Sequence, residues 1–317
     1  MLEVFFCNVG DGDAILLREF REGVRDYNIL VDAGRPYLEP KQGSLRKEAI
    51  YYLKARGIDH LDRMILTHLH IDHIGGALRI LNAIPTESLT VLNLPPQDAE
   101  WVAQSFESAD KAVNGLCYAL NIFRDITERA KDLGCCLETA FPGEIALSDR
   151  LTMTTYLPRN EIILRQQSVF NRLYRNEPVD YDECYRVSKE RNHSSLMLGF
   201  IYAGRHVLLT GDRYGFDWEN EPIPSCDILK LPHHGDRKSI TEPLLIRLHP
   251  RYAVVSCQND PNARKERPSA ETFAFVQKTV PVALCTENRA MPTFDAATYN
   301  GIRFEISDEG EITCEIE

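Results

Sequence analysis

Four side chains of metal-ligand type fall within six positions: His68, His70, Asp72 and His73, in the run Thr67-His68-Leu69-His70-Ile71-Asp72-His73-Ile74-Gly75-Gly76. The apolar run Met64-Ile65-Leu66 precedes them and a glycine pair follows, so they stand where a strand hands over to a helix. At a strand end His68 and His70 share one side, and the turn into a helix swings Asp72 and His73 towards a second point a few ångströms away. Such a loop can serve two adjacent cations. Imidazole nitrogen and carboxylate oxygen suit zinc and also manganese or iron, so the donors call for a divalent metal without choosing it.

Four neighbouring donors do not complete two metal shells, and further ones are expected downstream, again at strand ends. Asp212 closes Val207-Leu208-Leu209-Thr210-Gly211-Asp212, where Gly211 lets the backbone turn and present a carboxylate between metals. His233 and His234 follow Ile228-Leu229-Lys230-Leu231, and one of the two is expected to be a ligand. His193 stands before the strand-like Leu196-Met197-Leu198 and is a further candidate. Two close divalent cations bring a shared water's pKa towards neutrality and stabilise negative charge on an electrophile, which points to hydrolysis. Asp72 is the candidate base, and whichever of His233 and His234 is not a ligand is placed to protonate a leaving group. Asp32, at the end of a strand, is expected to orient a histidine from behind.

The elements that must carry these residues have an α/β texture. Short apolar runs at residues 2–9, 14–17, 27–31 and 63–67 alternate with turns and a helical pattern at 47–56. Strand character returns at 195–201, 206–210, 227–231 and 253–256, with helices over 243–248 and 270–279. Between the halves, residues 101–133 repeat apolar positions at three- and four-residue spacing, which predicts one long or two shorter amphipathic helices, within a helical insertion over about residues 95–145. Residues 158–191 are polar and rich in tyrosine and arginine; they read as a solvated surface face, with a mobile, substrate-facing segment as the alternative. With no linker or repeat, the 317 residues are expected to form one domain, its halves the two layers of a sandwich.

Composition narrows the partners. No run approaches the roughly 18 apolar residues needed to span a bilayer, so no membrane insertion is expected. The start, Met1-Leu2-Glu3-Val4-Phe5-Phe6, lacks the basic stretch and cleavage site of a secretory signal, which predicts a cytoplasmic protein. Nine cysteines without a Cys-x-x-Cys pair describe no disulfide framework. A net charge of −11 repels phosphate backbones, so a nucleic-acid substrate needs a local basic patch or bound cations. Residues 229–268 offer such a strip in Lys230, Arg237, Lys238, Arg247, Arg251, Arg264, Lys265 and Arg267, of which Lys230, Arg237, Lys238 and Arg267 are the candidate substrate contacts.

His68 to His73 match the His-x-His-x-Asp-His signature of the metallo-β-lactamase superfamily, which the chain resembles over nearly its whole length. Val9-Gly10-Asp11-Gly12-Asp13-Ala14, Leu30-Val31-Asp32-Ala33-Gly34, Leu209-Thr210-Gly211-Asp212 and Leu229-Lys230-Leu231-Pro232-His233-His234-Gly235 look like the branch that includes a domain of the DNA-uptake competence channel proteins. The resemblance implies an αββα sandwich, a mixed α/β (α+β) fold, with the site at one edge of its two sheets. It implies two divalent ions, Zn2+ or Mn2+, with His68, His70 and His193 at one, Asp72, His73 and His234 at the other, and Asp212 bridging. The chain departs from that branch at His193, often asparagine there, and at Arg267, often histidine. A phosphodiesterase or nuclease acting on DNA or another nucleic acid is the function implied. A small-molecule hydrolase of a phosphodiester, lactone or thioester is the alternative, as is a defence or signalling component activated by a protein partner.

Overall fold

The computed structural model describes residues 1–39, 43–103, 106, 111–258, 266–288 and 297–317. Two sheets dominate it. The first orders its strands Ile312–Ile316, Gly301–Ile306, Leu2–Cys7, Ile15–Glu19, Tyr27–Val31, Leu61–Ile65, Thr86–Val91 and Cys136–Thr139. The second orders Val282–Cys285, Tyr252–Val255, Ile228–Lys230, Arg205–Leu209, Met197–Tyr202, Leu151–Tyr156 and Gly143–Ala146.

Side-chain alternation explains how the sheets stack. In Leu2–Cys7, Leu2, Val4 and Phe6 face the other sheet, where they meet Leu198, Phe200, Val207 and Leu209 in one core. Phe5 and Cys7 face the opposite way, into a second core with Leu53, Ile74, Ile80 and Leu81 from the helices Ala49–Ala55, Ile71–Ile74 and Ala77–Ala83. On the far side, Leu208, Leu229, Ala253 and Val255 pack against Leu244, Leu245 and Phe273 of the helices Glu242–Leu248 and Ala270–Thr279. Strands buried on both faces read as continuous apolar runs, which is the texture seen in the sequence. The architecture is an αββα sandwich, as expected.

Each sheet carries a parallel block: Tyr27–Val31 through Cys136–Thr139 in the first, and Arg205–Leu209 through Val282–Cys285 in the second. Loops leaving the carboxyl ends of parallel strands form the usual crevice for a site. Asp32 follows Val31, His68 follows the strand ending at Ile65, Asp212 follows the one ending at Leu209, and His233 and His234 follow the one ending at Lys230.

Two expectations about the middle of the chain need correction. One helix, Lys111–Asp132, covers the amphipathic pattern from residue 111 on; residues 101–103 and 106 are not helical, and Ala109, another apolar position of the pattern, lies outside the described residues. The stretch after it is strand: Cys136–Thr139 and Gly143–Ala146 edge the two sheets, so the helical character ends before residue 145. Residues 158–191, read as a solvated face, contain the helices Asn160–Tyr174 and Tyr181–Lys189, which bury Val169, Phe170, Leu173, Cys184 and Val187 against Val113, Leu116 and Leu120. Among the described residues, no helix is long and apolar enough to cross a membrane.

Candidate metal centre

The loop after Ile65 turns at once. His70 is the extended residue before the one-turn helix Ile71–Ile74, and Gly75 and Gly76 admit no side chain, since a Cβ on Gly76 would lie 2.2 Å from Ala33 O. Asp72 and His73 sit on that turn, while His68 and His70 precede it with His68 Nε2 2.8 Å from His70 Nδ1. Asp212 enters from the other sheet. Gly211 takes φ +52°, and a Cβ there would lie 2.2 Å from Ser195 Oγ, which accepts a hydrogen bond from Asp212 N at 3.0 Å. His233 and His234 both hold left-handed backbone, φ 48° and 56°, a conformation that costs non-glycine residues about 1–3 kcal/mol each. The turn sends His234 fully inward, with Nδ1 donating to Ser256 O at 2.9 Å, and leaves His233 buried but slightly more accessible.

Three sets of ligand atoms converge: His68, His70 and Asp212; Asp72, His73 and His234; and Asp13, His73 and Asp212. The two oxygens of Asp212 divide between the halves of the site. Oδ2 lies 3.8 Å from His68 Nε2, whereas Oδ1 lies 3.4 Å from His73 Nε2 and 3.6 Å from His234 Nε2. His73 Nε2, His234 Nε2 and Asp212 Oδ1 are buried without a hydrogen-bond partner among the described residues. An orphaned buried polar atom costs about 1–3 kcal/mol, so three of them facing one another need an occupant. Two ligands of one tetrahedral zinc, each about 2.0–2.1 Å from it, lie on the order of 3.3 Å apart, close to the separations found here. The residues present therefore fit divalent cations.

Electrostatics agree with that fit. Burial drives the pKa values of His68, His70 and His234 well below the ordinary imidazole value, with positive neighbours such as His73 beside His68 and Arg191 beside His70 adding to it; these rings are neutral donors. Burial also opposes protonation of His73, but the carboxylates of Asp212 and Asp32 outweigh it and hold its pKa well above normal. Burial pushes the Asp212 carboxyl up, and the charged His73 ring beside it more than reverses this, so it stays ionised. Asp72 is raised, chiefly by burial.

Behind the donors stands a second set of contacts. Asp32 Oδ2 accepts from His73 Nδ1 at 2.7 Å and from Thr67 Oγ1 at 2.8 Å, and its Oδ1 accepts from Thr67 N at 2.8 Å. Asp13, whose role the sequence reading missed, lies 3.7 Å from His73 Nδ1 and pairs with Lys230 Nζ. That pairing corrects the placement of Lys230 among the substrate contacts: it is fully buried and also donates to Gly211 O at 2.9 Å, so it braces the site from within. Of the other basic candidates, Arg267 is buried beside the donors, contacting His233 Nε2 and lying 3.3 Å from Asp11 Oδ1. Arg237 is 70% exposed beside Glu271, Lys238 is exposed, and Arg264 and Lys265 lie outside the described residues.

The structure does not bring His193 to the cluster. Its Nδ1 pairs with Asp217 Oδ2 at 2.6 Å and its ring leans on Tyr214 and Phe216, drawn outward by a carboxylate that the sequence reading did not consider. The neighbouring Asn192 points inward instead, its Nδ2 3.0 Å from His233 Nε2. Arg267 is a permanent donor, so with Asn192 beside it the His233 Nε2 is the acceptor and the ring proton sits on Nδ1.

A family model described as the metallo-beta-lactamase superfamily matches residues 8–258. ComE operon protein 3 of Bacillus subtilis is 24% identical over 292 residues, which cover 87% of this chain and 30% of that protein; the chain thus spans about a third of the relative's length. Among solved structures, the metallo-β-lactamase fold protein YhfI of Bacillus subtilis is similar at 11% identity and TM-score 0.46, covering 90% of this chain and 96% of its own. The diiron β-hydroxylase CmlA of Streptomyces venezuelae is similar at 13% identity and TM-score 0.48, covering 89% of this chain and 52% of its own.

Proposed function

The chain belongs to the metallo-β-lactamase superfamily, and from that membership we propose that it is a metal-dependent hydrolase of phosphodiesters acting on DNA or another nucleic acid. The observation that carries the hydrolase reading is the division of Asp212 between two donor groups, Oδ2 towards His68 and Oδ1 towards His73 and His234. His68 and His70 would hold one divalent ion and Asp72, His73 and His234 the other, zinc or manganese. When bound, the pair supplies an acidified water and charge stabilisation for a phosphoryl oxygen.

The chain's own residues divide the remaining work. Asp72 keeps an oxygen 3.7 Å from Arg35 and 3.9 Å from His234, and the oxygen that does not face a cation is placed to accept a proton from the attacking water. Arg267, buried beside Asp11 and His233, is the fixed positive charge that would meet a phosphate oxygen. His233, with its proton on Nδ1 and its Nε2 facing Arg267 and Asn192, can donate to a leaving oxygen from Nε2 only after taking up a second proton there. The resemblance of the motifs to the competence-channel branch supports a nucleic-acid substrate. The net charge of −11 favours the second reading, a small-molecule hydrolase of a phosphodiester, lactone or thioester.

The test is hydrolysis of single- and double-stranded DNA, RNA and a simple phosphodiester by metal-stripped protein restored with manganese or zinc, with Asp72→Ala as the blank. Strand cleavage that needs both metal and Asp72 is the expected result. Silence towards every phosphodiester with two metals bound would move the assignment to the lactone or thioester form of the small-molecule reading.

A further inference from the structure

Beside the metal centre runs a row of aromatic rings that the chemistry above does not use. Tyr214 meets His233 edge-on, with centroids 4.9 Å apart. Phe216 lies parallel to Tyr214 at 5.5 Å, the two planes only 8° apart. His193 leans on both, 5.1 Å from Tyr214 and 5.7 Å from Phe216. The row starts at a histidine 4.0 Å from Asp212 Oδ2 and ends at Phe216, which keeps 47% of its surface exposed.

A half-exposed phenylalanine forgoes part of the about 1.5–3 kcal/mol that full burial would give, yet the loop that presents it is firmly held. Gly215 N donates to Ser239 O at 2.8 Å and Asp217 N to Tyr214 O at 2.9 Å. The next residue, Trp218, is fully buried with Nε1 donating to Arg213 O at 3.2 Å, which anchors the loop inward while Phe216 points outward. A Cβ at Gly215 would come 3.0 Å from Ile240 Cα, so the backbone is pressed against its neighbour. Asp217 fixes the His193 ring in the same way that Asn192 Nδ2, 3.2 Å from the Tyr214 hydroxyl, fixes Tyr214. The rings are therefore pre-oriented, and ordering them costs a ligand little.

Resting on the phosphodiester reading, we propose that Phe216, Tyr214 and His193 form a stacking platform for the nucleobase of a nucleotide whose phosphodiester is presented to the metal centre. Parallel rings offer a π-face, and stacking on such a face contributes about 1–3 kcal/mol per base whatever the base. Stacking also suits a chain whose net charge of −11 gives no long-range attraction for phosphate. His193, which the structure withholds from the metals, acquires a role as the platform's fixed edge.

Binding is tested before turnover, by stopped-flow fluorescence with manganese-loaded protein and short single strands carrying 2-aminopurine, against strands of abasic sugar phosphate. The expected result is quenching on binding, and affinity for the base-bearing strand reduced on the order of tenfold or more by both Phe216→Ala and Phe216→Leu, with abasic strands bound equally by all three proteins. Thermal unfolding checks that each variant is folded. Equal binding of base-bearing and abasic strands by the parent protein would overturn the proposal, as would full affinity in Phe216→Leu, which would make the contact merely apolar. Cleavage of abasic strands by the parent protein reports separately on the phosphodiester reading, so the platform can fail while that reading stands. Thymidine monophosphate that competes as well as the strand would make a small nucleotide the occupant; weak competition would make it a strand.

Discussion

His73 donates from Nδ1 to Asp32 Oδ2 across 2.7 Å, which locks the ring so that Nε2 faces Asp212 Oδ1 at 3.4 Å. The same carboxylate is itself fixed by Thr67 N and Oγ1, so the donor atom is aimed by a rigid chain of contacts. Asp32→Asn keeps the shape and weakens the grip. Metal affinity, measured by competition with a chromophoric chelator, should fall about 10–100-fold while the fold is retained; unchanged affinity would show that the Asp32 contact does not matter.

Metal binding should release protons and weaken in acid. His68, His70 and His234 have depressed pKa values, chiefly through burial, and must stay neutral to act as donors. His73, held above its usual value by Asp212 and Asp32 against the effect of burial, carries a proton that a cation must displace. Both signs point the same way: affinity falls as pH drops through the raised pKa of His73, above the ordinary imidazole value of about 6.5, and falls again well below that value as His68, His70 and His234 protonate. Calorimetric titration in buffers of different ionisation enthalpy should give about one proton or more released per chain at neutral pH. Binding without proton release would contradict the doubly protonated state assigned to the metal-free His73 ring.

Lys230 and Asp13 are a fully buried ion pair, not a surface contact. Lys230→Met leaves a buried carboxylate without its partner and should destabilise the protein by about 3–5 kcal/mol in urea denaturation. Adding Asp13→Asn should restore part of the loss. A Lys230 variant that keeps its stability and loses only substrate affinity would return the residue to the substrate surface.

His193→Ala should leave metal content unchanged, whereas His70→Ala should empty one position, as read by mass spectrometry of the metals. Loss of metal in the first variant would mean that His193 swings in from Asp217 when cations bind.

The sequence exposed the parts of this site that are local. His68 to His73 share one loop, and Asp212, His233, His234 and Asp32 each close an apolar run, so strand periodicity places each at a strand end, while their meeting at one edge of a sandwich is implied by the family resemblance. Asp13 was hidden because its partner Lys230 comes from the other sheet, with nothing in either local pattern to pair them. His193 was misplaced for a similar reason: the choice between facing the metals and facing outward is made by Asp217, on a separate loop. The helices of residues 160–189 looked like a polar surface because their buried positions are interleaved with arginines and find their cover on Lys111–Asp132. Cys136–Thr139 and Gly143–Ala146 are edge strands of four residues with little burial, too short and too exposed to alternate visibly.

The central claim is that Asp212 joins two cations, and electron paramagnetic resonance of manganese-loaded protein tests it most directly. Two manganese ions per chain with an exchange-coupled spectrum, uncoupled or emptied by Asp212→Ala, is the predicted result; a single ion, or two ions with independent spectra in the parent protein, would contradict it.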